Sequence, residues 1–195
     1  ATDVNNDGYQ DLVVASRSDG TYRVYTSNGD GTFDAQIYTE GLGDQREMRI
    51  ADMNGDGSED ILILDSNSGV GSIAYANGDG TFRKGVSFTI TSGEVADSIS
   101  EQFELLDLNG DRRIDILYNG GEGNRVLFNN GDGTFLQGGT YLAGTDPNGL
   151  AVGDVNGDGV IDLVSVSYQD ALNYVHLGNQ KDSNIYAGVG LTGVD

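Results

Sequence analysis

At 195 residues the chain is long enough for a domain of ordinary size with its own core. A formal charge of −21, from 31 acids against 10 bases, argues against nucleic acid or an anionic membrane surface as a partner, because either needs a basic face. No cysteine is present, so there is no disulfide and no thiolate site, and 31 glycines beside a single proline suit tight turns in an all-β chain.

The first element sets the pattern for the rest. Residues 3–11 place oxygen-bearing side chains at loop positions 1, 3, 5 and 9: Asp3, Asn5, Asp7 and Asp11. The same nine-residue arrangement returns as Asp52, Asn54, Asp56 and Asp60, as Asp107, Asn109, Asp111 and Asp115, and as Asp154, Asn156, Asp158 and Asp162. Alternating hard donors around a tight turn suit Ca²⁺, which takes roughly 6–8 oxygens at about 2.3–2.6 Å. An EF-hand would need a bidentate Glu at position 12 and flanking helices. Position 12 is instead Val14, Ile63, Tyr118 and Ser165, within short apolar runs that read as buried strands. The loop therefore sits in a β-hairpin, closed by the position-9 Asp at the start of the outgoing strand.

The loops start roughly fifty residues apart, which is the period of propeller blades. A second landmark, Asn-Gly-Asp-Gly-Thr-Phe, follows in phase at 28–33, 77–82 and 130–135, and has degenerated at 178–180. Asn-Gly and Asp-Gly supply the positive φ of a hairpin turn, and the Phe is expected to anchor the hairpin in the core. In the second repeat the strands are predicted at 46–51, 61–64, 71–76 and 85–88. No stretch has helical periodicity with caps. Four antiparallel strands per unit, buried on both faces between neighbours, describe a blade of an all-β propeller. The four repeats span 1–195 as a single domain. The first repeat lacks an incoming strand, and residues 190–195 echo 149–154. Either that tail supplies the missing strand and closes a four-bladed ring, or Asp195 opens a further repeat of a larger one.

The pairing of the acidic loop with the Asn-Gly-Asp-Gly-Thr-Phe turn resembles the FG-GAP/VCBS repeat family, the calcium-loop blades of integrin α-subunit propellers and of many bacterial secreted or surface proteins. The resemblance covers nearly the whole chain. It implies a β-propeller, usually of seven blades, and Ca²⁺ held by the acidic positions and a backbone carbonyl at position 7. Carried onto this sequence, the ligands are Asp3, Asn5, Asp7, Tyr9 and Asp11; Asp52, Asn54, Asp56, Ser58 and Asp60; Asp107, Asn109, Asp111, Arg113 and Asp115; and Asp154, Asn156, Asp158, Val160 and Asp162. Up to four ions are expected, each structural.

The third loop departs from the pattern. Arg112 stands where the others have Gly8, Gly57 and Gly159. A non-Gly residue at positive φ costs roughly 1–2 kcal/mol, and Arg112 and Arg113 bring two positive charges to the site. This loop is expected to be the weakest calcium site, or to hold its shape by arginine–carboxylate pairing.

Catalysis finds no assembled constellation. His176, the one histidine, falls at the strand position of Thr26, Tyr75 and Phe128 and reads as packing. The acids outside the loops, Glu94, Glu101, Glu104 and Glu122, read as solvated surface. A calcium-loop polysaccharide lyase is the enzyme alternative, with Arg112 and Arg113 the pair placed near an ion. Loops without a bidentate Glu suit the weak sites, roughly 10⁻⁴–10⁻³ M, of extracellular modules. No membrane-length apolar run is visible, and a start inside a repeat implies that any leader lies outside this sequence. The expected function is that of an extracellular, secreted or cell-surface recognition or adhesion module without catalysis, binding a glycan or a protein. A surface-exposed domain of a filament or cell-wall protein is a further alternative.

Overall fold

The computed structural model describes residues 1–16, 21–38, 47–65, 68–90, 103–120, 123–141, 147–167, 172–178 and 188–192. Among them there is no helix, and none therefore long and apolar enough to cross a membrane. Fifteen strands form four antiparallel sheets. The first sheet has three: β1 (Leu12–Ser16), β2 (Thr21–Ser27) and β3 (Phe33–Tyr38). The second runs β4 (Glu47–Ala51), β5 (Asp60–Asp65), β6 (Val70–Ala76) and β7 (Phe82–Thr89) in sequence order. The third repeats this with β8 (Phe103–Leu106), β9 (Asp115–Gly120), β10 (Gly123–Asn129) and β11 (Phe135–Tyr141), and the fourth with β12 (Pro147–Gly153), β13 (Asp162–Ser167), β14 (Leu172–His176) and β15 (Gly188–Thr192).

The strands form where the sequence pattern places them. In the second repeat each predicted strand is present: β4 covers 47–51 of the predicted 46–51, and the other three extend one to three residues beyond their predicted ends. Residue 46 lies outside the described residues, as do 179–180, Glu94, Glu101 and Glu122. Glu104 is half-buried on β8 rather than a freely solvated group. In the second and third sheets the acidic loop joins the first strand to the second and the Asn-Gly-Asp-Gly turn the third to the fourth, while in the first sheet the loop precedes β1 and the turn joins β2 to β3; in these three sheets both features lie at one end. Gly29, Gly78 and Gly131 take φ between 74° and 80°, as the turn requires.

Two expectations are corrected. Residues 188–192 do not complete the first sheet: Val189 pairs with Val175 and Leu191 with Asn173, making β15 the fourth strand of its own repeat. Of the turn phenylalanines only Phe82 is buried, edge-on to Tyr22 with centroids 6.3 Å apart, whereas Phe33 is 43% exposed and Phe135 half-buried. Phe82 has the first sheet to pack against, and its two counterparts are less covered.

The chain divides into two compact units, Ala1–Ala96 with Gly131–Thr134, and Asp97–Asn130 with Phe135–Asp195. In the first, Val4, Tyr22 and Val24 pack on Ile61, Ile63, Ala74, Ala76 and Phe82. In the second, Leu117, Val126, Tyr141 and Leu163 form the core, with Leu106, Leu108, Phe128, Leu150 and Val152 against it. β5 and β9 are buried at every residue.

Candidate metal loops

Each loop is built by its own side chains folding back onto its backbone. Asp52 Oδ1 accepts the N–H groups of Gly55 (2.7 Å) and Asp56 (3.1 Å), and Oδ2 accepts that of Gly57 (2.8 Å). Asp107 repeats this with Gly110, Asp111 and Arg112, and Asp154 with Gly157, Asp158 and Gly159. Asp3 takes the N–H groups of Asp7 and Gly8. The Asn at position 3 (Asn5, Asn54, Asn109, Asn156) accepts the position-5 N–H and donates its amide to the position-5 carboxylate. The position-5 Asp in turn accepts the N–H of Tyr9, Ser58, Arg113 or Val160. Asp and Asn favour this because their short side chains imitate a backbone turn.

Such a tight path needs left-handed backbone at two places. Position 6 is Gly8, Gly57, Gly159 and, at φ 69°, Arg112. Position 4 is Gly55, Gly110, Gly157 and, at φ 59°, Asn6. The strain expected at Arg112 is therefore present, while that at Asn6 had no counterpart in the sequence reading, since Asn is among the residues that enter this region at least cost.

The position-9 aspartates stand apart. Asp11, Asp60, Asp115 and Asp162 are fully buried. In each, Oδ2 accepts the N–H of loop position 2 (Val4, Met53, Leu108, Val155) at 2.8–3.0 Å. Oδ1 accepts an N–H at or just past the end of a later strand of the same sheet (Ser27 on β2, Ala76 on β6, Asn129 on β10, Gly178 after β14) at 2.7–2.9 Å. One carboxylate thus ties the loop, the outgoing strand and the following hairpin together. These partners were missed in the sequence. The available signal was the constant offset of 14 to 16 residues between the aspartate and its partner at the later strand.

The electrostatics separate the two groups. Burial pushes the Asp60 carboxyl up from the ordinary 3.8 to about 6, against the N–H bonds from Ala76 and Met53, with Asp56 and Asp52 adding to the rise. Asp115 rises to about 6 by burial too, against Asn129 and Leu108 and with Asp111 and Asp107. In the exposed part of the loop, Asp56 is held below its ordinary value by the Ser58 N–H and then the Asn54 amide, with a smaller pull from Arg83. Asp154 is held down chiefly by the Gly159 N–H. Arg83 lies 5.1 Å over the Tyr75 ring and donates to Ala76 O and Asn77 Oδ1. In the third loop Arg113 Nη1 stands 3.4 Å from Asp111 Oδ2, the arginine–carboxylate pairing anticipated there.

The donor set fits a hard divalent cation. Each loop offers three carboxylates and an amide oxygen, and a carboxylate oxygen that accepts one N–H keeps a further lone pair. As they stand, the oxygens are turned to the loop's own N–H groups, and among the described residues no three carboxylate or imidazole groups converge as a metal cage. The position-7 residues Tyr9, Ser58, Arg113 and Val160 occupy the loop rim. His176 is buried, its ring 5.9 Å from that of Tyr141.

The repeat profile described as FG-GAP-like matches residues 3–63 and 107–165, more than half of the chain. The chain belongs to the FG-GAP-like repeat family. Among curated proteins none matches it. These FG-GAP-like repeats superimpose on a solved lectin of Agrocybe aegerita, reported for its specific recognition of non-reducing terminal N-acetylglucosamine, with a TM-score of 0.63 and 26% identity. That match covers 97% of this chain and 50% of the lectin, so the chain spans half the lectin's length. The Photorhabdus luminescens Tc holotoxin pore matches in fold, with a TM-score of 0.53 and 15% identity, over 86% of this chain and 9% of that one.

Proposed function

We propose that the chain is a non-catalytic recognition module of β-propeller type, stabilised by calcium, that works outside the cell and binds a glycan. The observation that carries this reading is the fourfold repetition of one loop, pinned to its sheet by a buried carboxylate and presenting three further oxygen-bearing side chains at its rim. Bound Ca²⁺ would supply positive charge to each loop, held by the position-1, 3, 5 and 9 side chains and the position-7 carbonyl. The likeness to a sugar-binding lectin supports glycan over protein as the partner. Against catalysis stands the use already made of the clustered acids: nearly every loop oxygen accepts a backbone N–H. The weak affinity expected of such loops suits millimolar calcium, hence an extracellular place.

The test is calcium titration by calorimetry, followed by a glycan array read in millimolar calcium and in chelator. Saturable calcium uptake with calcium-dependent retention of one glycan class is the expected result. No calcium heat, together with no glycan retained in either buffer, overturns the proposal.

A further inference from the structure

Within the second compact unit the third and fourth sheets meet through one layer of side chains. Leu117, Val126 and Tyr141 lie there from the third sheet and Leu163 from the fourth, with Leu150 and Val152 against them. Side chains alternate along a strand, so the residue two places on shares the face. Asn119 follows Leu117 on β9, and Asn124 precedes Val126 on β10. The two are directly paired across the strands. Ser165 follows Leu163 on β13 and is paired with Leu150. All three are fully buried. Among the described residues, both polar atoms of Asn119, both of Asn124 and the Ser165 hydroxyl have no hydrogen-bond partner.

Five such atoms in one apolar layer would be a heavy burden if nothing met them, because a buried polar group left unbonded costs about 1–3 kcal/mol. The corresponding positions of the second repeat, Leu64 paired with Gly71, carry no polar side chain. The amides are thus not required by the repeat itself. The set is neutral and contains donors and acceptors alike. A cation would satisfy the oxygens and repel the amide hydrogens, and an anion would do the reverse. A neutral molecule that both donates and accepts suits all five. All five atoms are closed to bulk solvent, so the occupant must be small enough to be enclosed on folding.

We infer that the layer between the third and fourth sheets is a specific internal water site, held by Asn119, Asn124 and Ser165. A buried water makes roughly 2–4 hydrogen bonds, so on the order of two waters serve the cluster. They bridge β9 and β10 to β13 and set how these sheets pack.

Oxygen-17 relaxation dispersion on the intact chain reads long-lived internal water, and a high-resolution crystal structure locates it. The wild type is expected to show ordered water bonded to Asn119 and Asn124. The paired replacement Asn119→Leu with Asn124→Gly, which copies the second repeat, is expected to lose the corresponding dispersion amplitude. Asn119→Leu alone should destabilise more than that pair, because it leaves Asn124 buried without its bridge. A wild-type structure in which the two amides bond directly to each other, with no water density, overturns the inference even if neither variant folds. So does an unchanged dispersion amplitude in a folded double variant.

Discussion

In the second loop the rim and the aspartate beneath it are built from the same side chain and behave oppositely. Asp56, exposed and turned to the Ser58 N–H, is held below the ordinary carboxylate value, whereas Asp60, fully buried four residues later, is raised to about 6. Hydrogen bonds to backbone N–H groups favour the charged form at both, and desolvation decides the sign at the second. The rim can therefore give its charge to a cation with little structural loss. The buried aspartate is first a structural clamp, whatever it contributes to a metal.

The largest effect should come from breaking the clamp. Asp60→Ala leaves the N–H groups of Met53 and Ala76 buried without an acceptor and opens a small void. It is expected to destabilise the chelator-treated protein by about 3–5 kcal/mol in urea unfolding. Asp56→Ala, at the rim, should cost under about 1 kcal/mol in chelator, yet abolish one site in a calcium titration. Equal losses of stability in chelator would erase the distinction between rim and clamp.

Acidity provides the next test. Asp60 and Asp115 carry folded values above the unfolded one, facing Asp52 and Asp56, with Tyr75 beside Asp60, and Asp107 and Asp111 respectively. Between about pH 4 and 6 the unfolded chain has released these protons while the folded chain keeps them. Metal-free stability therefore falls as pH rises through that window and levels off above it. Taking the chelated protein from pH 7.5 to 5 should stabilise it, by about 1 kcal/mol for each group. Calcium-loaded protein should respond with the opposite sign, because protons displace the ion. Chelated protein that loses stability over the same interval would show that the two N–H bonds outweigh burial.

Much of this was legible in the sequence. Strict phase between the acidic loop and the Asn-Gly-Asp-Gly turn placed the strands, because each feature has one backbone solution at a fixed offset from a sheet. The spacing of the rim oxygens was legible too, as donors around one centre, but their turning onto the loop's own N–H groups was not read from it. What else escaped depends on contacts distant in sequence. The second function of Asp60 needs Ala76, on another strand, and the fate of residues 188–192 depended on which sheet had an edge within reach. Asn119 and Asn124 drew no reading from the sequence; only the strand register pairs them, fully buried, in one layer.

The smallest predicted effect concerns the third loop, where rim geometry is retained at a visible cost. Arg112 donates its N–H to Asp107 as Gly57 does to Asp52, so the bond survives the substitution and the strain lies in the backbone alone. Arg112→Gly should stabilise the chelated protein by about 1 kcal/mol. It should leave the other three calcium sites unchanged. Arg113 acts differently, since its guanidinium lies against an Asp111 oxygen that an ion would need. An exposed pair of this kind contributes roughly 0–1 kcal/mol. Its larger consequence would be competition, so the third loop is expected to be the weakest calcium site of the four. A titration in which Asp107→Ala removes the tightest site would show that neither arginine handicaps the loop, and that the four rims are equivalent despite their different side chains.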